Sequence, residues 1–136
     1  IQRGVCGLLL TRNFAMLTEF TLATGRRADI VAVNPGGELW IIEIKSSVAD
    51  FRSDQKWPGY QDYCDAFYFA IPPDMDRALI DETAGLMIAD AWGAEIVREA
   101  TEAKLPSARR KAVTLLLARS ASMRLQSTID PNANGL

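Results

Sequence analysis

The chain has 136 residues, 49% hydrophobic and 24% charged, with a formal net charge of −2. This composition suits a globular chain that buries a core, and no apolar run approaches the ~20 residues that span a bilayer. Histidine is absent, which excludes Ser-His-Asp and Cys-His catalysis and histidine-based zinc sites, so any catalysis must use carboxylates, Lys, Tyr or a metal held by oxygen.

The first part of the chain predicts one helix followed by three strands. Apolar residues spaced three and four apart indicate a helix over 2–12, and a stretch rich in Thr, Phe and Leu indicates a strand over 16–23. Two further strands, 27–34 and 38–46, are joined by the sequence Asn-Pro-Gly-Gly. That sequence suits a type I turn followed by a glycine in the left-handed region, so it predicts a hairpin.

The rest of the chain predicts a mixture of helices and strands. In chain order, the pattern indicates a helical segment over 48–65 that Pro58 breaks or restarts, a buried strand over 66–72, a helical turn near 76–82, strands over 86–91 and 94–99, and a helix over 107–126. This order is typical of an α/β domain with a mixed sheet. We expect a single domain over 1–126 and a frayed C-terminal tail over 127–136.

Three ionisable residues interrupt the apolar strands of the predicted hairpin. Glu43 and Lys45 share one face of their strand, because side chains alternate along it. If the loop has three residues, Asn34 opposes Glu38, and Asp29 then falls directly across from Glu43. A loop longer by one residue would place Asp29 on the opposite face. The turn chemistry favours the three-residue loop.

Two facing carboxylates on a buried surface need a cation between them. At a separation of about 5 Å they repel, and one of them protonates unless a positive charge intervenes. Mg²⁺ is satisfied by a few carboxylate oxygens and water, without His or Cys. Lys45 can then orient or deprotonate a water, or steady a phosphate. The alternative is a structural ion pair between Lys45 and one of the two acids.

The arrangement of Asp29 followed by Glu43-Ile44-Lys45 resembles the D…(D/E)-x-K signature of the PD-(D/E)XK nuclease superfamily. More closely, the segments 25–72, 85–99 and 109–115 resemble the MmcB-like DNA repair proteins of bacteria. The resemblance implies a restriction-endonuclease-like fold over 1–126, in which helices flank a mixed central sheet. It also implies a role in DNA repair.

The same resemblance implies the roles of individual residues. Asp29 and Glu43 are expected as metal ligands, with the main-chain carbonyl of Ile44 as a third ligand. Lys45 is expected as the water-activating group in hydrolysis of DNA phosphodiester bonds. Mg²⁺ is the expected cofactor, and Mn²⁺ can substitute for it. Glu19 is a candidate additional ligand, because the first helix carries no acidic residue; its alternative is a solvated side chain.

Two further groups of residues are candidates for contact with nucleic acid. Some superfamily members carry a Q-x-x-x-Y motif after the E-x-K strand, and here Lys56 and Tyr60 have that spacing, with Lys in place of Gln. Its alternative is a surface lysine beside an aromatic cluster. The run Arg109-Arg110-Lys111 opens the last predicted helix, where a bound phosphate would relieve the opposition between cations and the helix dipole. Its alternative is a solvated cluster.

These expectations describe a bacterial, cytoplasmic and nucleoid-associated protein that binds DNA and no membrane. A metal-dependent deoxyribonuclease is the leading hypothesis. One alternative is a non-cleaving DNA-structure or partner-binding module on the same fold, and another is an unrelated α/β domain with a structural ion pair. The sequence leaves open whether the partner is a second copy of the chain or another repair protein.

Overall fold

The computed structural model describes residues 1–53 and 56–132. The helices and strands, in chain order, are α1 (Gln2–Thr11), β1 (Ala15–Thr21), β2 (Arg27–Val33), β3 (Leu39–Ile44), α2 (Val48–Ser53), β4 (Ala66–Ile71), β5 (Gly85–Ala89), β6 (Ala94–Arg98) and α3 (Ser107–Ile129). Two 3₁₀ segments, Trp57–Tyr63 and Arg77–Leu79, lie on either side of β4. The prediction of a mixed α/β arrangement is confirmed.

The strands form one six-stranded sheet in the order β1-β2-β3-β4-β5-β6. The pairs β3–β4 and β4–β5 are parallel, and the other pairs are antiparallel. Apolar side chains cover both faces: one face packs with α3 and the first 3₁₀ segment, and the other packs with α1. The described residues include no helix that is long and apolar enough to cross a membrane.

The predicted hairpin register is confirmed. The Asn34 amide donates to the Glu38 carbonyl at 3.2 Å, and the Gly37 amide donates to the Asn34 carbonyl at 3.0 Å. Gly37 has a φ of +87°, the left-handed value that closes a three-residue loop. The Cα pairing then runs regularly from Val33 opposite Leu39 to its last pair, Ile30 opposite Ile42.

The parallel strands β3, β4 and β5 all end on the same side of the sheet. Ile44, Ala70 and Met87 are at one level across these strands. We call this side the C-terminal rim, and we call the opposite side, where β3 begins at Leu39, the N-terminal rim. The first residues of β2 also reach the C-terminal rim, because β2 runs antiparallel to β3.

A buried ion pair holds the N-terminal rim together. Asp65, only 2% exposed, receives two 2.6 Å hydrogen bonds from the guanidinium of Arg110 on α3. It also accepts from the backbone amides of Leu39 and Leu105 at 2.8 and 2.9 Å. Burial raises the pKa of Asp65, but the bonds from Arg110 and these two amides outweigh burial and hold the pKa below its ordinary value. Asp65 therefore joins β3, β4 and α3.

Two predicted boundaries differ from the structure. The last helix continues to Ile129, so its final turn includes residues assigned to the tail; Arg124 ties this part of α3 to β1 through the carbonyls of Thr18 and Glu19. The segment expected to be helical over 48–65 is instead α2 followed by a 3₁₀ segment with Pro58 in its first turn. Residues 54–55 of that prediction, and 133–136 of the predicted tail, lie outside the described residues.

Replacing Asp65 by Asn should destabilise the protein by about 2–3 kcal/mol at neutral pH. Loss of one partner from a buried pair typically costs more, but the Arg110 side chain is 30% exposed and keeps some hydration. Because the pKa of Asp65 is lowered on folding, its contribution is complete above the unfolded value of about 3.8 and is lost as pH falls through the lower folded value.

Urea unfolding at a series of pH values measures this effect. The difference between wild type and Asp65→Asn should be constant from neutral pH down to about 5 and should shrink below 3.8. Asp74→Asn, which removes an exposed loop carboxylate, is the matched control. An equal and small effect of both substitutions would contradict a structural role for the pair.

Candidate functional site

The Cα pairing of β2 and β3 ends at Ile30 opposite Ile42, and beyond it, at the C-terminal rim, two carboxylates bridge the strands at a place that we call the gap. One residue beyond the last Cα pair, the register brings Asp29 level with Glu43. Glu43 Oε1 accepts a hydrogen bond from the Asp29 backbone amide at 2.9 Å, and Asp29 Oδ2 accepts one from the Ile44 amide at 2.8 Å. Each carboxylate therefore satisfies a backbone donor of the other strand where the sheet ladder ends.

The end of the hairpin that carries Asp29, Glu43 and Lys45 is largely shielded from solvent. Glu43 is 5% exposed and Lys45 is 8% exposed, while Asp29 is half-buried. The Lys45 amide donates to the Ala70 carbonyl at 3.0 Å, so the backbone at Lys45 is still fixed against β4. Two acidic side chains and one basic side chain are thus held on adjacent strand ends in a medium where charges interact more strongly than in water.

The chain turns away from the sheet directly after Lys45. The Asp50 amide donates to Ser47 Oγ at 3.0 Å, and Asp50 Oδ2 accepts from the Ser46 amide at 3.2 Å, which starts α2. Phe51 then packs edge-on against Phe69 of β4, with ring centroids 5.2 Å apart. These contacts hold the segment after Lys45 in one position. The Ser-x-x-Asp spacing from Ser47 to Asp50 is the sequence signal for this helix start.

Glu19 does not join the two carboxylates. The β1–β2 register brings it level with Asp29, but its φ of +52° interrupts the strand and its side chain is exposed. Across residues 1–53 and 56–132, no three acidic or cysteine side chains come together as a group that could hold a metal ion. The expectation of Glu19 as a ligand is therefore corrected, because a left-handed residue does not follow the alternation of a strand.

Tyr60 is a core residue and not a surface contact. Its ring stacks on Phe67 at 5.9 Å, and its hydroxyl donates to the Arg27 carbonyl at 3.0 Å. The Arg26 guanidinium lies 4.0 Å from the ring centroid. The predicted contact of Tyr60 with DNA is therefore wrong, since packing and the arginine enclose its ring. Lys56 is exposed, and its predicted contact with a phosphate stays a prediction.

Sequence reasoning missed Arg26, whose guanidinium lies over the Tyr60 ring. Its guanidinium also donates to the Lys56 carbonyl. A Cβ on Gly59 would lie 2.8 Å from Arg26 Nη1, so the glycine leaves room for the arginine. The adjacent arginines at 26 and 27, where β2 begins, were the sequence signal, and they did not specify a partner.

The basic run at the start of α3 lies at the N-terminal rim, away from the carboxylates. Arg110 donates to Asp65 and to the Gly37 carbonyl, which gives it a structural role, and its contact with DNA stays a prediction. Arg109 donates to the Asp62 carbonyl and lies over the Tyr63 ring, while Lys111 is exposed. Leu39 at the N-terminal rim and Ile44 at the C-terminal rim are five residues apart along β3, which is about 17 Å. DNA contact by Arg109 or Lys111 stays a prediction.

Comparison with known proteins gives one family and one solved structure. A family model described as DNA repair protein MmcB-like matches residues 1–132. A protein of unknown function from Silicibacter pomeroyi has a similar structure, with a TM-score of 0.92 and 44% sequence identity, over 96% of this chain and 90% of that chain. No curated protein matched the chain.

The hydrogen bond from the Ile44 amide to Asp29 predicts that two substitutions of Asp29 change the free energy of unfolding differently. Asp29→Ala removes the acceptor for the Ile44 amide and should cost about 1 kcal/mol of unfolding free energy. Asp29→Asn keeps an acceptor oxygen and removes a charge beside Glu43, so in EDTA its stability should equal or exceed that of wild type. Urea unfolding measures both, with Asp62→Ala and Asp62→Asn as exposed controls. Equal stability of Asp29→Ala and Asp29→Asn would contradict the bond to Ile44.

Proposed function

The chain belongs to the MmcB-like family of DNA repair proteins, and from this membership we propose that it hydrolyses phosphodiester bonds in DNA with a divalent metal ion. The observation that carries the proposal is the pairing of Asp29 and Glu43 where β2 and β3 meet at the C-terminal rim, with Lys45 two residues after Glu43 and directly beyond the end of β3. We place this activity on the bacterial chromosome, in the cytoplasm.

The fold supports the proposal at a coarser level. A mixed sheet flanked by helices, with an acidic residue on one hairpin strand and E-x-K on the next, is the pattern of the PD-(D/E)XK nucleases. In this reading the domain is restriction-endonuclease-like. The two acids lie where the β2–β3 ladder ends at the C-terminal rim, and the half-buried Asp29 is the more accessible of the two to a phosphate.

The residues of the gap fit one divalent ion. Mg²⁺ is commonly bound by one or two protein carboxylates together with waters and substrate phosphates. Asp29 and Glu43 supply two carboxylates, and no third acidic group joins them within the described part of the chain. We assign the main-chain carbonyl of Ile44 as the further protein ligand. Mg²⁺ is the proposed ion, and Mn²⁺ should replace it.

Each residue then has a separate chemical task. The two carboxylates hold the ion, and their bonds to backbone amides fix their orientation before substrate arrives. When bound, the ion polarises the phosphate and lowers the pKa of an attached water. Lys45 orients the attacking water and counters the negative charge that develops as the water oxygen bonds to phosphorus and the bond to the leaving sugar oxygen breaks.

A second candidate function is a DNA-structure or partner-binding module that cuts nothing. The observation that favours it is the sparse ligand set, with only two carboxylates in the gap. In such a module Lys45 would anchor a phosphate without accelerating any reaction. The two functions differ in turnover and in what Lys45 contributes, and these differences can be measured.

Metal binding depends on both carboxylates in this proposal. Isothermal calorimetry with Mn²⁺ should detect one site per chain in wild type and no site in Asp29→Asn or Glu43→Gln, because each change removes a charged ligand. Glu95→Gln, which alters an exposed acid on β6, should bind Mn²⁺ as wild type does. Unchanged affinity in Asp29→Asn would count decisively against the metal site.

Lys45 separates the two candidate functions. In a nuclease, Lys45→Ala and Lys45→Arg should both lose Mg²⁺-dependent cleavage by at least about 100-fold, with little change in DNA affinity, since neither side chain can restore the amine. In a binding module, Lys45→Ala should weaken DNA binding and lower its salt dependence by about one counterion.

The assay compares single-stranded, duplex, flap and junction DNA, with Lys104→Ala as the control for loss of a lysine. Lys104 is exposed and lies at the N-terminal rim, between residues that bond to Asp65. Full cleavage by Lys45→Ala would remove Lys45 from the mechanism. Wild-type protein that binds DNA and cleaves none of the structures would favour the binding module.

A further inference from the structure

Trp92 is exposed to a degree that is unusual for tryptophan. It is 92% exposed, the largest value among the large hydrophobic side chains in the described part of the chain. Trp40 and Trp57, by contrast, are buried in the two cores of the sheet. Tryptophan at a fully solvated position contributes little to packing, so its indole is available to a partner.

The turn that carries Trp92 is built to hold it in place. Asp90 Oδ1 accepts from the backbone amides of Trp92 and Gly93 at 2.8 and 3.0 Å, and the Asp90 amide donates to the Gly93 carbonyl at 2.9 Å. Helix α1 packs directly against this turn: a Cβ on Gly4 would lie 2.1 Å from the Asp90 carbonyl oxygen and 2.4 Å from that of Gly93. The indole is therefore presented on a braced backbone.

Trp92 lies at the C-terminal rim, as the candidate metal site does. It follows the end of β5 by three residues, and β5 ends at the C-terminal rim with β3 and β4. Two strand spacings, about 10 Å, separate β5 from β3 across the sheet. A short stretch of DNA lying along this rim could therefore meet both Lys45 and Trp92.

We propose that Trp92 stacks on an unpaired base of the DNA that the C-terminal rim binds. The proposal rests on the DNA-directed function above and specifies its substrate as DNA with unpaired bases beside the cleaved phosphate. A flat indole stacks on every base type, but a base inside an intact duplex is already stacked on its neighbours. Trp92 would thus select single strands, flaps or frayed ends over continuous duplex.

Charges around the indole agree with contact to a base and not to the backbone. Asp90 and Glu95 lie beside Trp92 in one surface depression, and these acids would repel phosphates. Arg3 is exposed and directly precedes Gly4, the residue that abuts the turn. It offers a cation for a phosphate that flanks the stacked base.

The test measures DNA affinity in EDTA, where cleavage is suppressed, with a 12-residue oligothymidylate and a blunt duplex of the same length. The single strand should quench the fluorescence of wild type, since Trp92 is the exposed indole. Trp92→Ala should weaken single-strand binding about 5- to 100-fold, the loss typical of a removed stacking platform. Trp92→Leu should be as weak as Trp92→Ala, whereas Trp92→Phe should retain most of the affinity. Duplex binding should stay the same in all variants.

Single-strand affinity of Trp92→Ala within twofold of wild type would overturn the proposal, as would the absence of single-strand binding by wild type. A wild-type dimer that Trp92→Ala converts to monomer in sedimentation velocity, with DNA affinity unchanged, would assign the indole to self-association instead. The proposed nuclease activity can fail independently of the stacking. If the wild type cuts no DNA but its single-strand binding depends on Trp92, only the nuclease activity is refuted. If cleavage depends on Lys45 but single-strand binding does not depend on Trp92, only the stacking is refuted.

Discussion

The left-handed backbone of Gly37 is the constraint on which the candidate site depends. Its φ of +87° closes the β2–β3 loop at three residues. That closure sets the register along the whole hairpin and brings Asp29 level with Glu43 at the far end. A slip of one residue would turn Asp29 to the other face and leave Glu43 without its partner. The geometry of the site is thus fixed by a turn at the opposite rim.

The two rims use charge in different ways. At the N-terminal rim, Asp65 is matched by Arg110, and the same guanidinium donates to the Gly37 carbonyl, so the ion pair also braces the hairpin turn. At the C-terminal rim, Asp29 and Glu43 face each other across a gap and accept from backbone amides. One rim pairs its buried carboxylate with a guanidinium, whereas the other brings two carboxylates together beside Lys45, where the β2–β3 pairing ends.

Local features of the structure could be predicted from the sequence, and tertiary pairings could not. The turn and its register follow from residues within a few positions of each other, so Asn34 opposite Glu38 was predictable. The ion pair of Arg110 with Asp65 could not be predicted, because the two residues are 45 positions apart and no local pattern links them. The positive φ of Glu19 is uncommon for a residue with a side chain, and nothing in its neighbours signals it. Tyr60 was misplaced because the motif spacing does not show that its ring packs on Phe67.

If Asp29 and Glu43 hold a divalent ion, anomalous diffraction from crystals grown with Mn²⁺ will locate it. We expect one anomalous peak per chain in the gap between β2 and β3, with oxygen ligands from both carboxylates at about 2.0–2.2 Å. The main-chain carbonyl of Ile44 should complete the protein ligands, and waters should fill the remaining positions. A gap without an anomalous peak in those crystals, with both carboxylates still bonded only to backbone amides or to Lys45, would contradict it.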